Sequence, residues 1–147
     1  MTNRDLGVLS DGQWLEFNTA IIEEFRANGG ACGGRFEGNP MILLTTTGAK
    51  SGRQLTSPLT YTTDGDDLVV IASKAGSDSH PAWYHNLVAN PTVQIELGSE
   101  TFAARAVSAP EPARTRLYDA QVAEMPRFGE YKDKTDRVIP VVVISRT

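Results

Sequence analysis

The sequence predicts an α+β protein that is mainly β, in which an antiparallel sheet closes into a barrel and helices cover its openings. Two observations lead to this fold class. β-Branched segments follow one another through short turns, and such strands outnumber the helical segments. The 147 residues are most simply one domain, with an N-terminal helix and Gly-rich connector (1–38) and a barrel core (39–147).

The N-terminal segment predicts an amphipathic helix from Ser10 to about Asn28. Ser10 and Gln13 have the spacing of a capping box, and Gly29-Gly30 ends the helix. Apolar residues recur at steps of three and four: Trp14, Phe17, Ile21, Ile22 and Phe25. This stripe favours a helix packed on the domain. The alternative is a lid or a contact with a membrane surface.

The middle of the chain predicts consecutive hairpins. The expected strands are Met41–Thr47, Gln54–Thr63 and Asp67–Ser73. The turns between them are Gly48–Arg53 and Asp64-Gly65-Asp66. Pro58 predicts an edge, a bulge or a bend in the second strand, because proline cannot donate to a ladder.

The second half alternates helices and strands. A short helix is expected from His80 to Ala89, ended by Asn90-Pro91, and a hairpin follows across Gly98-Ser99. Ser108 and Glu111 have capping-box spacing and predict a helix to about Glu124. The remaining elements are the hairpin strands Thr92–Leu97 and Glu100–Val107, an aromatic segment Phe128–Tyr131, and a final strand Ile139–Ser145 whose start Pro140 would place at an edge.

Composition excludes several classes of function. The net charge of −4 argues against general nucleic-acid binding, which needs a basic face. No apolar run approaches the roughly 20 residues of a membrane span, and the N-terminus has no apolar signal segment. A lone cysteine, Cys32, fits a cytoplasmic protein, which would be membrane-associated if the first helix contacts a membrane surface. His80, His85 and Cys32 lack the spacing of metal ligands, so no metal site is expected.

The turn after the first strand concentrates positive charge in an acidic chain. Lys50, Ser51 and Arg53 surround Gly52, and a loop tip with cations and free N–H groups can bind a phosphate or carboxylate. A solvated hairpin tip is the alternative. The turn is not a nucleotide P-loop, because its glycine spacing is wrong and a strand rather than a helix follows.

Two later segments could complete such a site. In Ala72-Ser73-Lys74, small side chains would let a flat ligand approach the backbone, and Lys74 adds a cation. The opening of the helix that follows Pro81 supplies free N–H donors and a positive dipole end. Within that helix, the four-residue step from Trp83 to Leu87 predicts a side facing the core.

Three further residues allow two interpretations. Met125, Phe128 and Tyr131 recur at three-residue steps, which is typical of a helical core stripe but would also suit the wall of a pocket for a planar, apolar substrate. The histidine and serine spacings give little support to a Ser-His-Asp hydrolase.

Taken together, the segments resemble the deazaflavin-dependent nitroreductase family, small split-barrel reductases that use coenzyme F420. The resemblance covers about Ile42 to Val143. It rests on Leu44–Gly52, Pro58-Leu59, Ala72–Lys74, Pro81–Pro91, and Tyr131 with Thr135–Arg137 and Ile139–Val142.

The resemblance implies a split β-barrel like that of FMN-binding proteins, with the reduced deazaflavin in a groove. Ser73 and Tyr131 are the implied catalytic candidates, each as a donor to the substrate oxygen. The implied cofactor-binding residues are Lys50, Ser51, Thr56, Ser57, Pro58, Ala72, Ser73, Lys74, Ala82, Trp83, Tyr84 and Asn86.

The implied reaction is hydride transfer from reduced coenzyme F420 to an activated alkene, a quinone or a related planar enone. The partner is thus a small-molecule electron acceptor, and the protein is expected to be a monomer or a homodimer. An FMN-dependent split-barrel oxidoreductase and a non-catalytic carrier of deazaflavin or lipid are the alternatives.

Ala49 and Leu55 stand where the family has cations, and Arg53 could compensate. Met125 and Phe128 replace tyrosines, which predicts an apolar pocket and poor turnover of nitroimidazoles.

Overall fold

A computed structural model describes residues 11–31, 40–74 and 79–147. Within these residues the chain forms seven strands and four helices. The strands are β1 Met41–Thr47, β2 Gln54–Thr60, β3 Thr62–Asp64, β4 Asp67–Ile71, β5 Thr92–Leu97, β6 Glu100–Ser108 and β7 Val141–Arg146. The helices are α1 Asp11–Ala27, α2 Ala82–Ala89, α3 Ala113–Glu124 and α4 Arg127–Asp133.

The strands form one antiparallel sheet in the order β2-β1-β5-β6-β7-β4-β3. β2 and β3 lie at opposite ends of this order, yet only Tyr61 separates them along the chain. The sheet must therefore curl until one bent strand pairs with β1 through its first half and with β4 through its second. This curled sheet is the split β-barrel that the sequence predicts.

Strand direction gathers several loops at one end of the barrel. Because each neighbour is antiparallel, β1, β4 and β6 end at the same place, where β2, β5 and β7 begin. We call this place the α2 end, since α2 connects β4 to β5 there. It comprises the turn 48–53, Ala72–Lys74, α2, Ser108 and the segment 134–140.

The core divides into three clusters because successive strand side chains point to opposite faces. The interior cluster contains apolar residues of β1, β4, β5, β6 and β7, and Trp83 and Leu87 of α2 close it. The predicted core-facing side of this helix is thereby confirmed. A second cluster packs α1 on the outer face of β1 through Phe25. The third packs α3 and α4 on the outer face of β4 and β7.

Met125, Phe128 and Tyr131 belong to the third cluster and are at most 9% exposed. The aromatic segment is a helix, α4, in which the rings of Phe128 and Tyr131 meet edge to face at 5.2 Å. The three side chains pack in the core, Phe128 and Tyr131 from α4 and Met125 from the residue that follows α3.

Three local predictions need correction. The second strand bends at Tyr61 rather than continuing to Thr63, because it changes partner from β1 to β4. Ser108 ends β6 instead of capping a helix, and α3 begins at Ala113. Glu111 does bind a helical N–H, but it is that of Thr115, whose nitrogen donates to Glu111 Oε1 at 3.0 Å.

The prolines of the sheet have different roles. Pro58 lies in β2, which pairs only with β1, so the predicted edge position is confirmed. Pro140 does not mark an edge, because β7 lies between β6 and β4. It precedes the strand, and its carbonyl accepts a hydrogen bond from the Ala72 nitrogen at 3.0 Å.

The N-terminal helix is anchored through the described part of its apolar stripe, in which Phe25 is 1% exposed. Arg26 adds a surface ion pair with Glu96 at 2.9 Å. Ser10 of the expected cap and the connector 32–39 lie outside the described residues. None of the helices described is long and apolar enough to cross a membrane.

If α1 is part of the packed domain rather than a lid, Phe25→Ala should lower the free energy of unfolding by about 3–5 kcal/mol, since a buried aromatic side chain is lost. Glu23→Ala on the exposed face of the same helix is the matched control and should stay within about 0.5 kcal/mol. Urea denaturation measures both. Equal, small effects would show that α1 contributes little to the folded core.

Candidate active site

The turn between β1 and β2 is ordered by its own backbone. The Gly48 nitrogen donates to the Arg53 carbonyl at 2.7 Å, and the Gly52 nitrogen donates to the Gly48 carbonyl at 3.1 Å. Ser51 Oγ accepts from the Arg53 nitrogen at 3.1 Å. Gly52 has φ +72°, where glycine avoids the strain of a side chain. The side chains of Lys50 and Arg53 remain exposed to solvent.

Asn86 attaches this turn to α2. Its Oδ1 accepts from the Ala49 nitrogen at 3.0 Å, and its Nδ2 donates to Thr46 Oγ1 at 3.1 Å. The side chain is buried, so both halves of the amide are satisfied by the turn and the strand before it. One turn later, Asn90 Nδ2 donates to the Thr47 carbonyl at 3.5 Å. The helix therefore holds the basic turn against the barrel.

Arg137 attaches the exit of β4 to the same end. Its Nη1 donates to the Ala72 carbonyl at 3.1 Å, and its Nη2 donates to the Ser73 carbonyl at 2.7 Å. Ala72 and Ser73 are buried, and Lys74 follows them with φ +47°, in the left-handed region. The guanidinium thus satisfies the carbonyls of the strand where it leaves the sheet.

His80 joins this arginine to the start of α2. Arg137 Nη1 lies 2.8 Å from His80 Nδ1, and a guanidinium can only donate, so Nδ1 accepts and the ring proton sits on Nε2. Burial lowers the pKa of His80, and the charges of Arg137 and His85 lower it further. The imidazole is therefore neutral at pH 7. Tyr84, 4.9 Å from it by ring centroid, donates its hydroxyl to Ser108 Oγ at 3.2 Å.

Most of the predicted site residues share the α2 end of the barrel. Those that the strand directions and hydrogen bonds gather there are Lys50, Ser51, Ala72, Ser73, Lys74, Ala82, Trp83, Tyr84 and Asn86. Trp83 reaches it only through its backbone, because its side chain packs in the interior cluster.

The other predicted residues lie on two neighbouring elements. Thr56, Ser57 and Pro58 follow the basic turn on β2, where Thr56 Oγ1 is 2.8 Å from Thr45 Oγ1 and Ser57 is buried. Tyr131 is in the third cluster, packed with Ile71 on the face of β4 opposite to the interior residues.

Sequence reasoning assigned no role to Arg137 or His80. The sequence signal that could have identified Arg137 is its place just before an apolar strand, in a segment that contributes only to the family resemblance. Its carbonyl partners lie 64 and 65 residues earlier, so only the fold reveals them.

Lys50, Arg53 and Lys74 of the α2 end differ in their partners from the four ion-paired arginines of the chain. Arg26, Arg114, Arg116 and Arg146 each pair with a carboxylate. Among the described residues, no carboxylate lies within ion-pair distance of Lys50, Arg53 or Lys74. Each of these three side chains can therefore make a charge-assisted hydrogen bond to an anion such as a phosphate or carboxylate. The donor set fits a polyanionic coenzyme.

The curled antiparallel sheet with α2 across one end defines a split-barrel protein. Solved structures below 20% identity share this fold, among them HutZ, described as a heme storage protein of Vibrio cholerae (15% identity, TM-score 0.58, 86% of this chain and 87% of that chain). The chain belongs to the F420H(2)-dependent quinone reductase family, whose model matches residues 18–146. This confirms the inferred resemblance and identifies an enzyme family that depends on coenzyme F420.

Close relatives agree. An F420H(2)-dependent quinone reductase of Mycobacterium tuberculosis is 41% identical over 138 residues, 91% of this chain and 91% of that protein. A solved F420-H2 dependent reductase is 37% identical, with a TM-score of 0.66 over 72% of this chain and 94% of its own. Another solved chain, described as a domain-swapped dimer, is 34% identical with a TM-score of 0.67, covering 92% and 100%.

Asn86→Ala should destabilise the basic turn selectively. The Ala49 amide loses its acceptor, so we expect faster hydrogen exchange at that amide and a loss of about 1–3 kcal/mol in the free energy of unfolding. Asn90→Ala, which removes an exposed 3.5 Å contact, is the matched control and should change neither. Unchanged protection of the Ala49 amide in Asn86→Ala would show that α2 does not hold the turn.

Proposed function

We propose that this protein transfers a hydride from reduced coenzyme F420 to a quinone or to a related planar enone or activated alkene. Membership of the F420H(2)-dependent quinone reductase family supports the coenzyme and the quinone class. The observation that carries the proposal is the gathering of Lys50, Arg53 and Lys74, without carboxylate partners among the described residues, at one end of the barrel.

The proposed coenzyme contacts divide by chemistry. Lys50 and Ser51 bind the phosphate and acidic tail, and Arg53, exposed in the same turn, supplies the cation that is absent at Leu55. Ser73 and Lys74, with Ala72, border the linker and ring. The segment Thr56–Pro58 completes the groove from β2.

The start of α2 is proposed to complete the cradle. Ala82 is exposed there and can offer its backbone, whereas Trp83 contributes backbone contacts because its indole is buried. Tyr84 presents a half-buried ring. Asn86 acts by holding the basic turn, since its amide is already bonded to Ala49 and Thr46.

Bound reduced coenzyme F420 supplies the hydride, and the chain supplies orientation and exclusion of water. Charge develops on the acceptor oxygen during transfer, and a hydrogen-bond donor near that oxygen lowers the barrier. Ser73 and Tyr131 are the proposed donors, with solvent as the other proton source. Ser73→Ala and Tyr131→Phe, each compared by kcat, separate these possibilities.

The test is a panel of quinones, enones, activated alkenes and nitroimidazoles, supplied with purified protein and reduced coenzyme F420. Oxidation of the coenzyme, followed by its absorbance and fluorescence, should be fastest with quinones or enones and slow with nitroimidazoles. Comparable rates on nitroimidazoles would contradict the expected apolar preference. Tight FMN binding without F420 binding would favour an FMN enzyme, and bound coenzyme that no acceptor oxidises would favour a carrier.

Lys50→Ala should weaken coenzyme F420 binding about tenfold or more, because a charge-assisted contact is lost, and should reduce the salt dependence of Kd. Lys132→Ala, an exposed lysine of α4 outside the α2 end, is the matched control and should leave Kd unchanged. Fluorescence titration at two ionic strengths measures both. Equal affinity of Lys50→Ala and the unaltered protein at low salt would remove Lys50 from the site.

The acceptor is a small molecule, and the protein acts in the cytoplasm as a monomer or homodimer. Phe25 packs against the barrel, so a peripheral membrane contact would have to use other side chains. Sedimentation with and without lipid vesicles tests both points.

A further inference from the structure

We propose that Arg137 is a positioning residue for the coenzyme site, holding Ser73 and Lys74 in the conformation that binds the coenzyme. The inference rests on the proposed function for its ligand. The claim that the Arg137 guanidinium orders the exit of β4 rests only on contacts within the chain.

The hydrogen bonds from the sheet to β4 end where the hydrogen bonds from Arg137 begin. The last β4–β7 pair is Ile71 with Val141, and one further bond runs from the Ala72 nitrogen to the Pro140 carbonyl. Beyond that point, the carbonyls of Ala72 and Ser73 bind the guanidinium at 3.1 and 2.7 Å. The side chain therefore replaces a neighbouring strand as the donor.

Lys74 is the residue that needs such support. It is the one non-glycine residue with positive φ in the described ranges, and the left-handed conformation is strained for an L-residue with a side chain. A strained residue persists only where its surroundings hold it in place. The two carbonyls bound by Arg137 are those of the residues just before Lys74.

The contacts require an arginine rather than a general cation. Nη1 serves the Ala72 carbonyl and His80 Nδ1, while Nη2 serves the Ser73 carbonyl. A lysine ammonium is a compact charge without this planar fork, so it cannot reproduce the three contacts together. Through His80, the same group joins the β4 exit to the segment before α2.

The first experiment compares Arg137→Lys with Arg114→Lys. Arg114 also donates to a backbone carbonyl, that of Ile139 at 2.9 Å, but outside the proposed coenzyme contacts. In the coenzyme-free protein, we expect faster hydrogen exchange at residues 72–74 in Arg137→Lys only. With coenzyme, we expect a tenfold or larger rise in Kd and in the coenzyme KM, and a smaller change in kcat.

The second experiment is a double-mutant cycle with Lys74→Gly, because glycine adopts positive φ without strain. If Arg137 acts by holding this conformation, Arg137→Lys should raise Kd much less in the Lys74→Gly protein than in the unaltered one. Additive effects, or exchange at 72–74 unchanged by Arg137→Lys, would overturn the proposal. Failure of the unaltered protein to bind coenzyme F420 would refute the proposed function, while the exchange measurement would still test the role of Arg137 in ordering the loop.

Discussion

The closure of the sheet is the constraint on which the rest of the structure depends. A single residue, Tyr61, separates two segments at opposite ends of the strand order, so the sheet must curl onto itself. Counting β2 and β3 as one bent strand, the closed ring has strands alternating in direction all the way round. Every second strand then ends at the same rim. The basic turn and the exit of β4 meet there because of this alternation, although more than a strand pair separates them along the chain.

That rim combines exposed cations with buried apolar side chains. The chain is acidic overall, and its other ion-paired arginines use nearby carboxylates as partners. Lys50 and Lys74 have no such partner among the described residues, so they concentrate positive potential where an anion can approach. At the same end, Trp83 and Leu87 of α2 close the interior cluster of the barrel. The exposed cations of this rim suit a ligand with a polyanionic tail.

The sequence predicts the strands well because they lie between recognisable turns, and β1, β4 and β7 are also rich in β-branched residues. It predicts the place of the basic turn and the core-facing Trp83 for the same local reasons. Local patterns fail where a distant partner decides the outcome. Pro140 has the signature of an edge, yet pairing on both sides of β7 makes that strand central. Ser108 has the signature of a cap, yet pairing with Val142 extends β6 through it. The links from Asn86 to the turn and from Arg137 to the β4 exit lie beyond any local pattern.

These two side chains explain how exposed loops can be ordered before a ligand arrives. Asn86 accepts from the Ala49 nitrogen of the basic turn and donates to Thr46 near the end of β1, and Arg137 donates to two carbonyls at the exit of β4. Both loops are thereby attached to the region of α2, and this helix is itself anchored in the barrel interior through Trp83. Loops ordered in this way lose little conformational entropy when they bind a ligand. Contacts within the folded chain hold Lys74 in its strained backbone conformation, so ligand binding does not have to impose it. This is consistent with such pre-organisation.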